Sequence, residues 1–341
     1  MTPTLQILIP TYNRPDKLSF LITSLTFVED LCISGDIKIS IFDNSDSAIS
    51  MVNRERMPNF VSYSANKINL GFSGNIVRCL EESEGKYSWI ISDDDDIIVD
   101  ELFSLVSYLK LCPSDVIAIS IPYFVSSIYN GTNTFSSSLK KTATEAQCLH
   151  ELVKENEIPF ALLSCCIFKT EALKKVDFKL LNIQNSYFHV AAYLSAMNRN
   201  DLVQPYGKAL VFYHSDTTVR FSLLNLIQSR EEIVDLLQVK HQILMNRKAL
   251  LKAVLMWAVH GRIGKTNIQK LELERIGLFV KSLKSYSLFN YALGIIIILP
   301  KFLSRFLVYN FFPIFSRSNS ELGFFSKYIR NRTILRNNNN A

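Results

Sequence analysis

The stretch YSWIISDDDD, residues 87–96, joins an apolar run to four consecutive aspartates. The run from Tyr87 to Ser92 predicts a strand, so the aspartates follow its carboxyl end. Four adjacent carboxylates repel one another, and a solvated acidic loop is one interpretation. The alternative is a ligand site, because ligands of open α/β sheets bind outside the carboxyl ends of the strands. Hard carboxylate oxygens at that place suit Mg²⁺ or Mn²⁺, which in turn bridges a diphosphate.

Alternating strand and helix patterns flank this stretch on both sides. Before it, strands are predicted at Ile7 to Pro10, Ile37 to Phe42 and Val61 to Tyr63. One helix follows Pro15 as its first residue, and another contains Ile76 and Leu80 and is predicted to close at Gly85. After it come a helix at Leu102 to Leu111 and a strand at Val116 to Tyr123. This alternation predicts an α/β fold with a doubly wound, mostly parallel sheet.

The rest of the chain predicts a second half of the same domain and a helical extension. Residues 124–142 are rich in Ser, Thr and Asn and predict a loop or hairpin. Beyond them the patterns predict a helix at Thr144 to Lys154, a strand at Leu162 to Phe168, a helix at Tyr187 to Met197 and a strand at Ala209 to His214. From Leu223 onward, apolar residues recur at helical spacing. The predicted organisation is one domain over residues 1–222, divided near residue 120, followed by a helical C-terminal extension over 223–341.

Composition places the chain among ordinary globular proteins. It has 341 residues, of which 48% are hydrophobic and 20% are charged, so it can bury a core, and disordered or fibrous classes are excluded. Its six cysteines form no CxxC pair, so we expect neither a zinc site nor a disulfide framework. The short apolar stretch near the N-terminus is broken by Pro10 and does not suit a secretory signal. These features predict a cytoplasmic protein.

The net charge of +6 is concentrated in the C-terminal tail. From Lys284 to the end, eight Lys or Arg residues stand against one acid, Glu321, which leaves the remainder nearly neutral and argues against a nucleic-acid partner. The apolar segment from Leu288 to Pro300 is shorter than the ~20 residues that a spanning helix needs. Basic residues interleaved with Phe302, Phe306, Phe311 and Phe312 favour docking on an anionic membrane surface. A packed helical subdomain or a dimer contact is the alternative.

Three further motifs place polar residues near the same predicted sheet edge. The first strand ends in IPTYNR (residues 9–14), the second in FDNSD (42–46), and NLGFSGN (69–75) opens a helix. Each motif is weak alone, because Asp and Asn are ordinary turn residues. Gly71 and Gly74 permit a close backbone approach, but GxGxxG spacing and a P-loop lysine are missing. A conventional dinucleotide-binding fold and a P-loop NTPase are therefore disfavoured.

In their order and spacing, ILIPTYNR, IFDNSDS, NLGFSGN and WIISDDDD resemble glycosyltransferase family 2, the inverting nucleotide-sugar-dependent enzymes of the GT-A fold. The resemblance implies transfer of a sugar from a nucleotide diphosphate sugar to a glycan or glycolipid acceptor, such as a lipid-linked surface polysaccharide. It implies Mg²⁺ or Mn²⁺ as cofactor. Together with the tail, it places the protein at the inner face of the cell membrane, and a homo-oligomer stays open.

The resemblance also implies a role for one residue or more in each motif. The residues implied to contact the nucleotide sugar are Pro10, Thr11, Tyr12, Asn13, Arg14, Asp43, Asn69, Gly71, Asn75, Asp93 and Asp94. Among these, Asp43 is expected to contact the base. Four aspartates in a row leave the register of the family's DxD motif ambiguous, and Asp94 or Asp95 is favoured as the metal ligand. Asp95 is also implied as a catalytic residue.

The general base is not supplied by the resemblance. The family's usual acidic pair is missing, because no carboxylate lies between Asp177 and Asp201. His189 is the titratable residue there and a candidate base, with a packed helix histidine as the alternative. His214 is a candidate metal ligand and Arg220 a candidate phosphate contact, unless both are ordinary surface or packing residues. The missing pair leaves open a non-catalytic nucleotide-sugar-binding or scaffold subunit, and a simple cation-binding protein would account for the acidic run alone.

Overall fold

The structure is a computed structural model of the chain, and it describes residues 2–127, 132–136, 145–153, 160–214 and 223–243. The chain divides into two compact units, Met1–Thr217 with Gln228–Met245, and Thr218–Ile227 with Asn246–Ala341. The first unit contains the acidic run and the three other motifs. The predicted divisions near residues 120 and 222 stay predictions. Arg220 and the basic tail from Lys284 lie outside the described residues.

Strands and helices alternate through the first 120 residues, as the sequence predicts. The strands are β1 (Leu5–Thr11), β2 (Ile37–Asp43), β3 (Val61–Ala65), β4 (Tyr87–Ile90), β5 (Asp96–Ile97), β6 (Val116–Ser120), β7 (Tyr123–Ser127), β8 (Thr132–Ser136), β9 (Gln147–Cys148), β10 (Cys166–Lys169), β11 (Leu202–Pro205) and β12 (Val211–His214). The helices are α1 (Pro15–Leu25), α2 (Glu29–Ile33), α3 (Ser47–Glu55), α4 (Gly71–Glu81), α5 (Leu102–Leu111), α6 (Leu149–Val153), α7 (Thr170–Leu173), α8 (Phe188–Ala196) and α9 (Leu223–His241).

The strands form two sheets. The larger has eight strands in the order β3-β2-β1-β4-β10-β6-β11-β9, and the smaller has four in the order β5-β12-β7-β8. Strands β3, β2, β1 and β4 run parallel, whereas β10 runs antiparallel to both of its neighbours, β4 and β6. The predicted α/β fold with a mostly parallel sheet is confirmed.

The core forms because the sequence gives the central strands two apolar faces. Leu5, Ile7, Leu8 and Ile9 of β1 are all 0% exposed, as expected of a parallel strand with both faces covered. Helix α1 begins at Pro15, in the first helical position, where a missing N–H costs no hydrogen bond. Its residues at helical spacing, Leu18, Leu21, Ile22 and Leu25, are buried in the same core. Each such burial contributes roughly 1.5–3 kcal/mol.

The parallel register brings four loops to one edge of the large sheet. Thr11 pairs with Asp43, and Asp43 pairs with Ala65, so β1, β2 and β3 end side by side. Leu8 pairs with Ile90, which places the end of β4 beside the end of β1. The loops that hold the predicted motifs therefore start from neighbouring positions.

Several predicted elements differ from the structure. The helix predicted from Thr144 begins at Leu149, after the short strand β9. The strand predicted at 116–123 is two strands in different sheets, β6 and β7, separated around Pro122, which has no N–H for a sheet ladder. The helix predicted to close at Gly85 ends at Glu81. Gly85 instead lies in the turn before β4, where a Cβ would stand 2.8 Å from the backbone nitrogen of Gln6. The strand β11 was not predicted, because its short sequence, LVQP, has little periodicity.

The predicted helix at Leu223 is confirmed as α9. Within the described part of the chain, no helix combines the length and the apolar character needed to cross a membrane.

Candidate functional site

The loops after β1, β2 and β4 are joined by side-chain hydrogen bonds. The backbone N–H of Asn13 donates to Ser45 Oγ at 2.7 Å, and Asn13 Oδ1 accepts from the backbone N–H of Asp46 at 3.2 Å. Asn13 has a φ of 53°, in the left-handed region that Asn tolerates better than most residues. On the other side, Thr11 Oγ1 donates to Asp93 Oδ2 at 2.7 Å. The loop after β1 is thus fixed between its two neighbours.

Arg14 forms ion pairs with the first two aspartates of the acidic run. Its Nη1 atom lies 2.8 Å from Asp93 Oδ1 and 2.8 Å from Asp94 Oδ2. Asp93 is 5% exposed, whereas the side chain of Asp94 is 16% exposed and also accepts a hydrogen bond from the Ser92 hydroxyl. Burial raises the pKa of Asp93, and Arg14 and Thr11 oppose that rise. Asp94 is therefore the more accessible carboxylate of the pair.

Asp95 has a different partner. Its Oδ2 atom accepts a hydrogen bond from Ser164 Oγ at 2.6 Å, and the same Oγ accepts from the backbone N–H of Ser92 at 2.9 Å. The carbonyl of Ser164 accepts from the indole Nε1 of Trp89 at 2.8 Å. Burial raises the pKa of Asp95 to about 7, because the Ser164 hydrogen bond only partly offsets desolvation and the neighbouring aspartates add to the rise.

A cavity of about 620 Å³ lies beside the acidic run. Its wall is formed by residues of the loop after β1, the start of α1 and the run itself, namely Asn13, Arg14, Pro15, Asp16, Lys17, Phe20, Asp93, Asp94, Asp95 and Asp96. The wall combines two cationic side chains with five carboxylates. It can therefore receive a ligand that has both anionic groups and an associated cation.

Asp43, the predicted base contact, is sealed inside the loop after β2. It is 0% exposed. Its Oδ1 accepts from the backbone N–H of Ser45 at 2.7 Å, and its Oδ2 accepts from Asn53 Nδ2 at 2.7 Å and from the Tyr63 hydroxyl at 2.6 Å. In this arrangement Asp43 shapes the loop, and its contact with a base stays a prediction.

Asn69 and Asn75, the predicted polar contacts of the NLGFSGN motif, belong to a network of amide side chains. Asn44 Nδ2 donates to Asn69 Oδ1 at 2.6 Å, and Asn44 Oδ1 accepts from the backbone N–H of Leu70 at 2.8 Å. Asn66 Nδ2 donates to Asn44 Oδ1 at 2.8 Å and to Asn75 Oδ1 at 3.0 Å. The network fixes the start of α4, where Gly71 has a φ of 72°, against the loop after β2.

Two predicted residues lie at the open part of the edge. Tyr12 is 39% exposed, and Pro10 is partly buried at the end of β1. Their predicted contacts with a nucleotide sugar stay predictions, as do those of the other motif residues.

His189, the candidate base, is 4% exposed near the start of α8. Its ring packs against Phe72 and Tyr193, with centroids 6.5 and 6.0 Å away, and Nε2 lies 3.3 Å from the carbonyl oxygen of Ala161. Nδ1 is buried without a hydrogen-bond partner among the described residues. Burial lowers the pKa of His189 to about 4. No described contact joins His189 to the acidic run, so its role as base stays a prediction.

His214 is the last residue of β12. Phe212 in the same strand pairs with Asp96 in β5. This strand therefore runs beside the acidic run, although the side chain of His214 lies outside what the structure describes. Tyr213, which the sequence did not single out, is close enough for its pKa to respond to these carboxylates. Burial, with Asp95 and Asp94 adding to it, raises the pKa of Tyr213 to about 12, so its hydroxyl stays neutral.

The acidic run fits a divalent cation as part of a larger ligand set. The Arg14 Nη1 atom is a positive group on which one oxygen of Asp93 and one of Asp94 converge. No group of three or more His, Cys, Asp or Glu is arranged to hold a metal within the residues that the structure describes. This is compatible with Mg²⁺, which proteins usually bind through one or two carboxylates together with substrate phosphates. The structure brings Asp94 together with Asp93, whereas Asp95, the alternative predicted metal ligand, has Ser164 as its partner.

The sequence did not identify the residues that form hydrogen bonds to the predicted site residues. Asn44 follows Asp43 within the FDNSD motif. Its place beside Asp43 could be read from the sequence, but its hydrogen bonds to Asn69 and Leu70 could not. Ser164 lies in LLSCC, an apolar context with no functional pattern, and only the folded chain brings it to Asp95. Ser92 and Asn66 are ordinary polar residues after strands.

Comparison with known proteins assigns the part of the chain that contains the four motifs to one family. The family model "Glycosyl transferase family 2" matches residues 6–177. The abequosyltransferase RfbV of Salmonella typhimurium is 29% identical over 231 residues, which cover 61% of this chain and 66% of that protein. The alignment thus spans just under two thirds of the relative's length.

Two crystal structures of S. aureus TarS, both of residues 1–349, share the fold. The first has a TM-score of 0.55 at 15% identity and covers 86% of this chain and 83% of that chain. The second, a complex with UDP-GlcNAc, has a TM-score of 0.56 at 17% identity and covers 86% and 84%. At these identities the likeness concerns the fold alone.

Proposed function

The chain belongs to glycosyltransferase family 2 and has its GT-A fold, and from that premise we propose that it transfers a sugar from a nucleotide diphosphate sugar to a surface glycan. One observation supports this proposal most directly. The loops after β1 and β4 bring Thr11, Arg14, Asp93 and Asp94 together at the carboxyl edge of a parallel sheet, beside a cavity. Ligands of such sheets bind at this edge.

The proposed reaction is a displacement at the anomeric carbon with inversion. The acceptor hydroxyl oxygen forms the new C–O bond, and the bond to the diphosphate breaks with its electron pair on the leaving phosphate oxygen. The hydroxyl proton passes to a base. The products are a glycoside and a nucleoside diphosphate, so the site must stabilise negative charge on the leaving group.

Asp93 and Asp94 are the residues that would hold Mg²⁺ or Mn²⁺, the cofactors of the proposal. Such a cation neutralises the developing charge of the diphosphate as a Lewis acid. Thr11 fixes Asp93 by its hydrogen bond, and Ser92 fixes Asp94, so both carboxylates are oriented before a ligand arrives. Asn44 orients the start of α4 against the loop after β2.

The similar proteins support the substrate class. TarS was crystallised with UDP-GlcNAc, a nucleotide diphosphate sugar, and RfbV is named for the transfer of a sugar, abequose. We extend both to this chain as a proposal. The lipid-linked nature of the acceptor rests on the family resemblance and on the basic, aromatic tail.

The experiment is a transfer assay with a panel of radiolabelled UDP-, GDP-, CDP- and dTDP-sugars and membrane-extracted glycolipid acceptors, with added Mg²⁺ or Mn²⁺. The wild-type chain should move label from one donor to a glycolipid. Asp94→Asn should lose this transfer, whereas Asp100→Asn, a charge change six positions later and outside the cavity wall, should retain it. Transfer that is equal in wild type and Asp94→Asn would contradict the site assignment.

A second candidate function is a non-catalytic nucleotide-sugar-binding subunit. Two observations favour it: no carboxylate lies between Asp177 and Asp201, and the candidate base, His189, is buried with a lowered pKa. The same panel separates the two functions. A non-catalytic subunit would bind one donor in calorimetry and transfer nothing to any acceptor.

The proposed membrane partner has a test of its own. The tail from Lys284 has a net charge of +7, and each basic residue near an anionic surface contributes roughly 1 kcal/mol at low salt. The chain should therefore co-sediment with vesicles of anionic lipid and ignore neutral ones, with weaker binding at high salt. Equal behaviour toward both vesicle types would exclude an electrostatic dock.

A further inference from the structure

The strongest feature that the proposed function leaves unexplained is the double contact of Arg14. A single nitrogen, Nη1, lies 2.8 Å from an oxygen of each carboxylate, Asp93 and Asp94. A divalent cation shared by the same two carboxylates would need these oxygens for itself. Two cations cannot occupy one place between two carboxylates, because their repulsion at a few ångströms amounts to several kcal/mol at intermediate dielectric.

The two carboxylates are not equally bound. Asp93 also accepts from Thr11 and is 5% exposed, so it is fixed from two sides. Asp94 is more accessible, with 16% exposure, and faces the cavity. An incoming cation therefore reaches Asp94 first, and the contact between Arg14 and Asp94 is the one that it displaces.

The Arg14 guanidinium has N–H donors that form no described hydrogen bond, and it lies next to a cavity. Both contacts use Nη1, and among the described residues no hydrogen bond is found for Nε or Nη2 of Arg14. The side chain is 25% exposed and lines the cavity of about 620 Å³. A guanidinium presents several N–H groups in a planar fork that matches phosphate oxygens. Once free of Asp94, Arg14 can meet a diphosphate without a change in the backbone.

We propose that Arg14 is a resident cation of the acidic run, which leaves Asp94 when a divalent cation binds there and then contacts the diphosphate of the donor. This inference rests on the proposed function for the identity of the anion. It makes cation binding and diphosphate binding cooperative, because the event that creates the metal site also releases an anion-binding side chain. Arg14 therefore has opposite effects on the two ligands.

The experiment measures both ligands by calorimetry on the full chain. Mn²⁺ is titrated first without nucleotide, and then UDP and GDP are titrated in saturating Mn²⁺. Arg14→Ala should bind Mn²⁺ at least tenfold more tightly than wild type, and should bind the preferred nucleoside diphosphate at least tenfold more weakly. Arg14→Lys, which keeps the charge, should have wild-type affinity for Mn²⁺. Opposite shifts in one variant are not expected from a damaged fold.

The control is Lys208→Ala. Lys208 carries the same charge, pairs with Glu101 at 2.7 Å and does not line the cavity. Its removal should change both affinities less than threefold. If Lys208→Ala tightens Mn²⁺ as much as Arg14→Ala does, the effect is general electrostatics and the exchange is refuted. If Arg14→Ala binds Mn²⁺ no more tightly than wild type, the competition is refuted directly.

The titrations separate this inference from the proposed function. If the wild-type chain binds neither UDP nor GDP with Mn²⁺ present, and no other nucleoside diphosphate of the donor panel, the proposed function fails. The Mn²⁺ titrations still decide whether Arg14 competes for Asp94. If nucleotide binds and Arg14→Ala binds it equally well, the diphosphate contact is overturned while the transferase proposal stands. Should Arg14→Ala not fold, Arg14→Gln removes the charge while keeping a hydrogen-bond donor.

Discussion

Carboxylates stand at the ends of β2 and β4, the two strands that flank β1 in the large sheet, and their surroundings differ. At the end of β2, Asp43 is 0% exposed and accepts three hydrogen bonds from neutral donors. After β4, Asp93 and Asp94 share one cationic nitrogen beside a cavity. Both regions lie at strand ends, but the charge of the hydrogen-bond donors differs between them.

The difference teaches how a structural carboxylate is told from a ligand-binding one. A carboxylate saturated by a backbone N–H, an amide and a phenol has its charge stabilised within the fold, and a ligand offers it little. A pair held by one partly exposed cation can exchange that cation for another. Sequence places both kinds at the same point of a strand, so only the donors around them distinguish the two.

The largest effect is expected from Asp43→Ala, which tests the structural side of the comparison. The change leaves the buried donors of Ser45 and Asn53 without their acceptor, whereas the Tyr63 hydroxyl still has the Ser50 carbonyl at 2.9 Å. We expect a loss of about 4 kcal/mol in the free energy of unfolding, since each unsatisfied buried group costs roughly 1–3 kcal/mol. Urea denaturation measures it, with Asp46→Ala, an exposed neighbour, as the control.

Asp43→Asn refines this test. If the amide variant stays as stable as wild type but binds nucleoside diphosphate more than tenfold more weakly, Asp43 contacts the base and is not a purely structural carboxylate.

His189 lies outside this sheet edge and differs from Asp43 in its hydrogen bonds. It is buried, but its Nδ1 atom has no partner among the described residues. Its lowered pKa, about 4 against about 6.5 unfolded, means that the unfolded chain binds a proton over this range and the folded chain does not. Stability should therefore fall as pH drops from 6.5 to 4, by about 3 kcal/mol from this group. The measurement is the difference in urea unfolding between wild type and His189→Phe across that range. Parallel pH curves for the two proteins would mean that His189 is not buried as described.

Asp94→Asn tests the ligand-binding side. Because Asp94 is partly exposed and its partners are a partly exposed arginine and a serine, the free energy of unfolding should change by less than about 1 kcal/mol. Transfer should fall about a hundredfold or more, equivalent to roughly 2.7 kcal/mol of transition-state stabilisation. Activity and urea unfolding are measured on the same preparation. A variant that loses stability in proportion to activity would place Asp94 with Asp43.

The smallest effect is expected from Asn44→Ala, which removes the side chain that follows Asp43 and bonds the start of α4. Asn44 holds the start of α4 through Leu70 and Asn69, so its loss should loosen that loop and not the acidic run. We expect nucleoside diphosphate affinity to fall about tenfold, or roughly 1.4 kcal/mol, and Mn²⁺ affinity to stay constant. Asn182→Ala, an exposed amide that bonds Glu232, is the control for both titrations. A parallel fall in Mn²⁺ affinity would show that the two regions are coupled.

The sequence was sufficient for the fold class and for the sheet edge that the four motifs share, because both depend on local patterns. Apolar runs such as Ile37–Phe42 mark buried strands by themselves, and the carboxyl ends of parallel strands must share an edge. The partners within the site were not predictable, because they depend on contacts distant in sequence. Ser164 lies 69 residues from Asp95, and Tyr63 lies 20 residues from Asp43. Burial likewise decides the pKa of His189, and no local pattern marked it as enclosed.

The reversed strand β10 ties the acidic run to the rest of the domain. Ser164, just before β10, bonds the backbone after β4, the indole of Trp89 and the carboxylate of Asp95, while β10 itself covers the edge of β4. A fragment ending near residue 120 would expose that edge and release all three contacts. We therefore expect that residues 1–120 would not fold as an independent module. Recombination between relatives should succeed only where β4 and β10 come from the same parent.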